Sequence, residues 1–318
     1  MHGKILVVGS SNTDMVIKAA KFPLPGETVL GGKFFMNPGG KGANQAISAA
    51  RLGGNVTFIA KVGNDIFGRQ ALRQFRQESI NDKYITIDAD HPSGVALINV
   101  DKKGENRISV APGSNGQLRP VDIEAAMGLV ESDTLVLLQL EIPLPTVEHV
   151  VRESYNKGLR VLLNPAPALT LPPDLFSHLY LITPNENEAE LLSGVRVTDT
   201  ESARRAASKL QEKGVPNVII TLGARGAYLH TATISELIPA PEVEALDTTA
   251  AGDCFNGALA VALAEDQPLA QAVAFACKAA SISVTRLGAQ TSIPYRREVE
   301  VATVLDADNQ ASVVSSAP

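Results

Sequence analysis

The chain has 318 residues, of which 45% are apolar and 19% are charged, with a formal net charge of −6 and a sequence pI near 5.5. This composition is typical of a globular protein with one large core, and a single α/β domain of this length is common. No excess of basic residues is available to attract a phosphate backbone, which argues against nucleic acid as a partner.

The N-terminus and the cysteines indicate a cytoplasmic protein. The first apolar run, residues 5–8, is too short for a secretory signal. No stretch of about 18 apolar residues occurs that would cross a membrane. The two cysteines, Cys254 and Cys277, lie in Ala-rich segments expected to be buried helix, so a disulfide framework is not indicated. We therefore expect a reducing compartment and no membrane partner.

Short apolar runs rich in β-branched residues alternate with longer amphipathic stretches. This alternation predicts the α/β class, as a three-layer sandwich with a mostly parallel central sheet. The predicted strands lie at residues 5–8, 56–60, 135–140, 161–163, 179–182 and 218–221. The predicted helices lie at residues 42–52, 68–78, 121–131, 146–157, 185–192, 200–213 and 252–264. Most of these helices end near a glycine, as C-capping favours.

Two segments interrupt this pattern, at residues 15–35 and 94–110. In the second, apolar and polar residues alternate on either side of a polar turn at residues 101–106. The pattern predicts antiparallel strands that stand off the main sheet and form a small β-sheet lid. We expect one domain over residues 1–310 that contains these lid segments. The low-complexity stretch 311–318 is expected to be a disordered tail.

A loop of small residues at 247–253 (Asp-Thr-Thr-Ala-Ala-Gly-Asp) opens directly into the last predicted helix. Small residues allow backbone N–H groups to face an anion at a helix N-terminus, where the helix dipole adds positive character. The loop is therefore a candidate anion site. The alternative is that Asp253 only stabilises the start of the helix, which would need no function. The motif alone leaves both interpretations open.

A glycine-rich turn at residues 37–44 (Asn-Pro-Gly-Gly-Lys-Gly-Ala-Asn) leads into the first predicted helix. It is not a Walker loop, because Gly42 follows Lys41 where that motif has Ser or Thr. Glycines allow the backbone to approach a polyhydroxy ligand closely, while Lys41 and Asn44 supply directed hydrogen bonds. A plain turn with a solvated lysine is the alternative.

Together the two motifs resemble the signatures of the ribokinase-like (PfkB-type) carbohydrate kinases. The resemblance covers nearly the whole chain in order. It also includes residues 12–14 (Asn-Thr-Asp), 25–28 (Pro-Gly-Glu-Thr), 139–141 (Gln-Leu-Glu), 164–167 (Asn-Pro-Ala-Pro), 183–186 (Thr-Pro-Asn-Glu), 221–223 (Thr-Leu-Gly) and 285–290 (Thr-Arg-Leu-Gly-Ala-Gln). It implies an ATP-dependent sugar kinase that uses Mg²⁺.

The acceptor that the resemblance favours is D-ribose, phosphorylated at its primary 5-hydroxyl. Another acceptor, such as 2-deoxyribose, a nucleoside or a fructose derivative, remains open, as does a catalytically silent sugar or nucleotide sensor. The resemblance makes Asp253 the general base and assigns the anion hole to Ala250, Ala251 and Gly252. The implied sugar ligands are Asn12, Asp14, Gly40, Lys41, Gly42, Asn44, Glu141 and Asp253. For Asp14 and Glu141, capping of strand ends is the alternative.

The resemblance assigns the nucleotide and its magnesium to other residues. Asn185 and Glu188 match a family Asn-x-x-Glu motif associated with magnesium and phosphate, and an outer-shell role suits an ion that keeps several waters. An acidic cluster at a helix start is the alternative. ATP contacts are implied for Asn185, Glu188, Thr221, Gly223, Gly226, Gly252 and Cys277.

Two further expectations follow from the resemblance. K⁺ is expected as an activator in a loop beside the anion hole, held mostly by backbone carbonyls of Asp247, Thr249, Ser283, Arg286, Gly288 and Ser292. The lid is expected to have an exposed apolar face covered by a second subunit, which predicts a homodimer.

Cys254 departs from the family pattern, since Thr is common after the catalytic base. At a helix N-terminus its thiol could have a lowered pKa and be open to oxidation. Packing in the core is the alternative for Cys254 and for Cys277, which lies where relatives can carry His near the adenine.

Overall fold

The structure, a computed structural model, describes residues 3–128 and 130–301. In these ranges the strands are β1 Lys4–Val8, β2 Asn12–Lys18, β3 Lys33–Gly39, β4 Asn55–Ile59, β5 Lys61–Gly63, β6 Thr86–Asp88, β7 Gly94–Val100, β8 Asn106–Ala111, β9 Leu135–Leu138, β10 Arg160–Leu163, β11 Leu181–Ile182, β12 Asn217–Thr221, β13 Ala227–His230 and β14 Ser235–Ile238. The helices are α1 Lys41–Arg51, α2 Ile66–Gln77, α3 Pro120–Met127, α4 Leu144–Asn156, α5 Glu186–Ser193, α6 Thr200–Glu212, α7 Ala251–Ala264 and α8 Leu269–Val284.

The central sheet has the order β14-β13-β12-β11-β10-β9-β1-β4. Its pairs are parallel from β4 to β12, and only the edge strands β13 and β14 are antiparallel. Both faces are covered, as the strand β9 illustrates. Leu135 and Leu137 pack with α1, α7 and α8, whereas Val136 and Leu138 pack with helices on the other side. The predicted three-layer α/β sandwich is therefore confirmed.

All six predicted strands are present, but some bounds were wrong. The strand predicted at 135–140 ends at Leu138, and the one predicted at 179–182 is reduced to Leu181–Ile182. The helix predicted at 121–131 is α3, which ends at Met127. The hairpin β13–β14 was not predicted, and α8 was expected only as buried helix without bounds. Because α7 and α8 are apolar and Ala-rich around most of their circumference, their sequences show little of the 3.6-residue periodicity that marks a helix.

The lid is a separate four-stranded sheet with the order β3-β2-β7-β8. The hairpins β2–β3 and β7–β8 are antiparallel, as predicted for the two segments, but β2 and β7 pair in parallel, which was not predicted. The first segment is also longer than the predicted 15–35, because β2 begins at Asn12 and β3 ends at Gly39. The extra residues run directly into the start of α1, which joins the lid to the central domain.

Successive side chains of a strand point to opposite faces, so the lid has two different surfaces. One surface carries Asp14 and the buried Val16. The other carries Ile17, its cross-strand partner Phe34, and Leu97, all of which are exposed. The lid therefore presents an apolar surface on the side facing away from Asp14.

The end of the chain extends beyond this description. Residues 302–310 of the expected domain and the expected tail 311–318 lie outside the described residues. Among the helices in the described ranges, none has both the length and the apolar character needed to cross a bilayer.

Candidate active site

The polar side chains gather where the parallel strands of the central sheet end. Ser10 follows β1, Glu141 follows β9 and Asn164 follows β10, and the N-termini of α1 and α7 point to the same edge. Ligands of open α/β sheets bind in the crevice outside the carboxyl ends of the strands. This edge is therefore where a ligand site is expected, with Asp14 of the lid above it.

Asp253 is the third residue of α7 and is 5% exposed. Its Oδ2 accepts a hydrogen bond from Nδ2 of Asn44 at 2.9 Å, and its Oδ1 accepts one from Nε2 of Gln45 at 3.0 Å. No side-chain hydrogen bond caps α7, so Asp253 is not a helix cap, although it is the acidic residue of the first turn, where it complements the helix dipole. Burial raises the pKa of Asp253, and the positive charge of Lys41 and the two amide donors oppose that rise. The carboxyl group is thus held as a directed acceptor inside the crevice.

The start of α7 is open to an anion. Its N-cap residue, Ala250, has φ 59°, a left-handed conformation that is uncommon for a residue with a Cβ. A Cβ placed on Gly252 would meet no other group within 4 Å, so the space beside this backbone is clear. The N–H of Ala251 donates to the carbonyl oxygen of Thr248 at 3.2 Å, and no side chain accepts from the start of the helix. An uncapped helix N-terminus of this kind suits an anionic group. Ala250, Ala251 and Gly252 lie at this helix start next to Asp253, and their role as an anion hole stays a prediction.

Three more charged groups surround this point. The pKa of Asp14 is raised to about 6, chiefly by burial and further by the negative charges of Glu141 and Asp253, while Lys41 lowers it. The pKa of Lys41 is raised above its ordinary value, chiefly by the charge of Asp253. The structure thus brings the predicted residues Asp14, Lys41, Glu141 and Asp253 into one electrostatic cluster.

Glu141 also has a structural task. Its Oε2 accepts hydrogen bonds from Oγ of Ser10 at 2.6 Å and from the backbone N–H of Lys41 at 3.0 Å. Lys41 is the first residue of α1, so the carboxylate satisfies a free N–H at a helix start. Glu141 therefore caps α1 rather than a strand end, and it fixes that helix relative to β1 and β9.

Asn12 is held by a residue that the sequence did not single out. Nδ2 of Asn115 donates to Oδ1 of Asn12 at 2.7 Å, while Oδ1 of Asn115 accepts from the N–H of Ser11 at 2.9 Å. Both amides are buried. The start of the lid strand β2 is therefore clamped to the central domain.

The glycines before and inside α1 are required by close packing. Gly40 has φ 90°, and a Cβ there would lie 2.7 Å from the backbone nitrogen of Asn12. A Cβ on Gly42 would lie 2.5 Å from the backbone nitrogen of Ser10. Only glycine allows the helix to start this close to the strand ends. Their predicted role as sugar ligands stays a prediction.

Asn185 and Glu188 form a capping box at the start of α5. Oδ1 of Asn185 accepts from the N–H of Glu188, and Oε2 of Glu188 accepts from the N–H of Asn185, both at 2.9 Å. Glu188 is buried, and this burial raises its pKa, as does the charge of Asp253. The hydrogen bond from the backbone of Asn185 and the charge of Lys41 lower the pKa in part. The pair therefore stabilises a helix and also faces the charged cluster.

The predicted nucleotide residues lie beside this capping box. Thr221 ends β12 and forms a parallel bridge with Asn185. Gly223 has φ 58° with no other group near its Cα, and a Cβ on Gly226 would lie 2.1 Å from the carbonyl oxygen of Ile238. Cys277 lies in α8 and is buried in the core. The loop 221–226 is thus adjacent to Asn185, and its role toward ATP stays a prediction.

The residues predicted to surround a monovalent cation come from two loops that Asp247 joins. Its Oδ1 accepts from the N–H of Thr249 at 2.9 Å and from its hydroxyl at 2.6 Å, and its Oδ2 accepts from the N–H of Gly288 at 2.9 Å. Burial alone would raise the pKa of Asp247, but these hydrogen bonds hold it below its ordinary value. Ser283, Arg286 and Ser292 belong to the second loop and the end of α8.

The thiols are not activated. Burial raises the pKa of Cys254 to about 12, with hydrogen bonds from Ser283 and Ser48 lowering it only in part. Burial likewise raises the pKa of Cys277 to about 12. The lowered pKa considered for Cys254 was therefore wrong, because its side chain points into the core and not toward the open helix end.

Sequence reasoning missed Gln45 and assigned no role to Gln139, Asn164 or Gln290, although three of these four residues belong to quoted motifs. All four are buried polar side chains near Asp253. One signal was available, since Gln45 is a polar residue in a helix that also contains the small or apolar residues Gly42, Ala43, Ala46, Ile47 and Ala49. Polar groups at such positions require buried partners.

Comparison with known proteins identifies the family. The sequence matches the pfkB family of carbohydrate kinases over residues 2–296. A ribokinase of Haemophilus influenzae is 43% identical over 298 residues, covering 94% of this chain and 97% of the relative. A deoxyribokinase of Salmonella typhi is 38% identical over 291 residues, covering 91% and 95%. The structure of Arabidopsis thaliana ribokinase complexed with ribose and ATP superposes with a TM-score of 0.86 at 29% identity, covering 94% of this chain and 98% of the other. The chain belongs to the pfkB family of carbohydrate kinases.

Proposed function

We propose that this chain transfers the γ-phosphoryl group of ATP to the 5-hydroxyl of D-ribose, giving ribose 5-phosphate and ADP. The observation that carries the proposal is the buried carboxylate of Asp253 beside the uncapped N-terminus of α7. A base and an anion site at one point are what phosphoryl transfer to a hydroxyl needs. The similarity to ribokinases over more than nine tenths of the chain supports ribose as the acceptor.

In this mechanism Asp253 accepts the hydroxyl proton as the sugar oxygen attacks the γ-phosphorus and the bond to ADP breaks. Such transfer depends mainly on positioning and charge stabilisation, so a carboxylate is a sufficient base when the proton leaves late. Ala250, Ala251 and Gly252, at the positive end of the α7 dipole, form the anion hole for the developing negative charge. Lys41 adds a positive charge close to Asp253. A silent sensor would not need this arrangement of base and anion hole.

The sugar binds between the lid and the central domain. Asp14 of the lid and Lys41 and Asn44 of α1 hydrogen-bond its hydroxyls. Asn12 and Glu141 contribute from positions that Asn115 and Ser10 hold in place. The remaining contacts come from the backbone of Gly40 and Gly42, where no side chain intervenes. Closure of the lid over the sugar excludes water from the transferred phosphoryl group.

ATP binds along the edge formed by α5, β12 and α7, with Thr221, Gly223, Gly226 and Cys277 on the nucleotide side. Asn185 and Glu188 would orient the water shell of a Mg²⁺ ion bound together with the substrate phosphates. The donor set fits the ion, because Mg²⁺ binds hard oxygens and commonly uses one or two carboxylates with several waters. When bound, Mg²⁺ neutralises the charge of the phosphates.

Three further parts belong to the proposal. The loop pair that Asp247 joins would hold K⁺, which would support the shape of the neighbouring anion hole. The exposed apolar surface of the lid is covered by a second copy of the chain, which makes the enzyme a homodimer. The acidic pI and the absence of a disulfide framework support a cytoplasmic location.

The acceptor is tested by measuring ADP release with ribose, 2-deoxyribose, fructose, fructose 6-phosphate, adenosine and pseudouridine. Ribose is expected to give the highest kcat/KM. The deoxyribokinase relative makes 2-deoxyribose the second candidate. A higher kcat/KM with 2-deoxyribose would establish that candidate, and a tenfold preference for a nucleoside would refute both.

The mechanism is tested by Asp253→Asn, which keeps the shape of the side chain but cannot accept the proton. Loss of a general base costs about 10² to 10⁴ in rate, or roughly 3 to 5 kcal/mol of barrier. We expect that loss in kcat, with ribose and ATP still bound in calorimetry. Turnover reduced only about twofold with unchanged binding would contradict the role of Asp253 as the base.

A further inference from the structure

Asp253 is held by more than its own helix. Two consecutive residues of α1, Asn44 and Gln45, each donate a side-chain N–H to a different carboxylate oxygen. These residues lie 209 and 208 positions away in the sequence. Both oxygens of the carboxylate are therefore engaged before any substrate arrives, and each keeps a second lone pair for a hydroxyl.

The donor on Oδ1 is itself fixed from two sides. Nε2 of Gln45 also donates to Oδ1 of Asn164 at 3.0 Å, and Oε1 of Gln45 accepts from Nε2 of Gln139. Nδ2 of Asn164 donates in turn to the carbonyl oxygen of Thr183 at 3.1 Å. Gln45 and Gln139 are fully buried. With both N–H groups and its oxygen engaged, the Gln45 amide has one orientation.

A second chain of amides reaches Oδ2. Nε2 of Gln74 donates to Oε1 of Gln290 at 2.7 Å, Nε2 of Gln290 donates to Oδ1 of Asn44 at 3.0 Å, and Asn44 donates to Asp253. The oxygens of Gln45 and Asn44 each accept from an amide farther out, Gln139 and Gln290, whereas the oxygen of Asn164 accepts from Gln45. One side-chain N–H of Gln45 and one of Asn44 are therefore directed at the carboxylate.

This direction matters for the charge on Asp253. An ionised carboxylate only accepts hydrogen bonds, whereas a protonated one presents an O–H donor on one oxygen. That donor would face an N–H of Asn44 or Gln45, and reversing either amide would break its outer bonds. Hydrogen bonds to the charged form favour that form, and leaving a buried amide group unpaired costs free energy. In this cluster the Oε1 atom of Gln139 is buried without a hydrogen-bond partner, while Nε2 of the same amide donates to Gln45.

The charges around Asp253 do not supply this preference by themselves. Lys41 of α1 favours the ionised form, while Glu141 after β9, Asp14 of β2 and Glu188 of α5 act against it. Burial also acts against it. The amide donors are therefore needed to keep the carboxylate both ionised and oriented.

We propose that Gln45, braced by Gln139 and Asn164, is a positioning residue that holds the Asp253 carboxylate ionised and aimed at the acceptor hydroxyl. The inference rests on the proposed role of Asp253 as the base. Gln45 does not contact the reacting atoms, since its N–H groups and its oxygen are all used within the protein. The positioning role of Gln45 also gives a function to Gln139 and Asn164, which belong to the family motifs at residues 139–141 and 164–167 but had no role assigned from the sequence.

The test is Gln45→Met, which keeps the length of the side chain and removes the donor. The pKa of Asp253 is expected to rise, because a bond that favours its charged form is lost. The acid limb of the kcat–pH profile, the low-pH range in which kcat rises as Asp253 ionises, should move to higher pH by about one unit. At a given pH on this limb, kcat should fall about tenfold. The KM for ribose should stay within about twofold of the parent value, since the sugar does not contact Gln45.

Ser48→Ala is the matched control. Ser48 is buried on the same helix and donates to the carbonyl oxygen of Cys254 at 3.0 Å, so its loss also weakens the α1–α7 contact without touching the carboxylate. The control should leave the acid limb in place. An unmoved limb in Gln45→Met, or an equal movement in Ser48→Ala, would overturn the proposal.

Gln139→Met keeps the inference testable if Gln45→Met does not fold. It leaves Gln45 bonded to Asp253 but removes its brace, so the limb should move in the same direction by a smaller amount. An unmoved limb in the folded Gln139→Met enzyme would overturn the proposal. Asp253→Asn distinguishes a failure of the proposed base from a failure of the positioning role. If Asp253→Asn retains turnover, the proposed base is wrong. If Asp253→Asn loses turnover but the acid limb of Gln45→Met does not move, only the positioning role of Gln45 is refuted.

Discussion

Asp14 shows how a binding residue is prepared at the cost of its own charge. Its carboxylate lies against Gly39, where an added Cβ would come within 2.3 Å of an Asp14 oxygen. Burial and the charges of Glu141 and Asp253 raise its pKa to about 6. At neutral pH the group is ionised but poorly solvated, so in the proposed mode of binding the sugar hydroxyls would replace the missing water as hydrogen-bond donors.

This predicts that ribose binding weakens at low pH. As the pH falls below about 6, Asp14 becomes protonated and loses acceptor capacity for the sugar. If only the ionised form binds, the apparent Kd rises about tenfold for each pH unit below the pKa. Calorimetric titration with ribose between pH 5 and 8 measures this apparent Kd. Asp14→Asn should bind more weakly with a flatter profile, and a parallel profile would assign the effect to another group.

At the scale of elements, the N-terminus of α7 depends on the loops beside it. Asp247 bonds to Thr249 just before the helix and to Gly288 beyond α8, and its backbone N–H donates to the carbonyl of Val284 at 3.1 Å. Ala250, which starts α7, holds an uncommon backbone conformation that surrounding contacts must maintain. The geometry of the anion hole is therefore coupled to this pair of loops.

We predict that K⁺ raises turnover in a sodium-free buffer, because a cation bound by the loop carbonyls would stabilise that geometry. Initial rates in potassium chloride and in choline chloride of equal ionic strength provide the measurement. Asp247→Ala removes the link between the loops and should lose the K⁺ response. Equal rates with both cations in the parent enzyme would show that the loops function without an ion.

At the scale of the whole molecule, the lid has more apolar surface than one chain covers. On the surface facing away from Asp14, Phe34 is 60% exposed and Leu97 is 52% exposed, with Ile17 beside them. Contiguous apolar surface of this kind marks an interaction site in a soluble protein. Because the other surface of the same four strands carries Asp14, a proposed sugar ligand, pairing of two lids would also brace the proposed site.

We predict that the chain sediments as a dimer and that Leu97→Glu weakens both association and ribose binding. A charge placed in an apolar contact loses hydration without gaining a partner. Analytical ultracentrifugation at micromolar concentration and calorimetry measure the two effects. Val121→Glu is the control, since Val121 is an exposed apolar residue on α3 outside the lid. A monomeric parent enzyme would contradict the prediction.

The sequence by itself determined the elements whose signals are local. Apolar runs such as β9, buried on both faces, predicted a covered parallel sheet, and the glycine-rich and small-residue loops predicted two helix starts at a ligand site. These patterns depend on neighbours a few residues apart, so they can be recognised along the chain. The family signatures located Asp14, Lys41, Glu141 and Asp253 in the same way.

Only the tertiary structure decided what depends on residues far apart. The parallel pairing of β2 with β7 and the edge hairpin β13–β14 depend on which strands meet, which local patterns do not encode. The high pKa of Cys254 follows from the direction of its side chain into the core. The amide chains around Asp253 join α1, β10 and the loop at Gln290, because hydrogen-bond partners are set by proximity in space and not by spacing in the sequence.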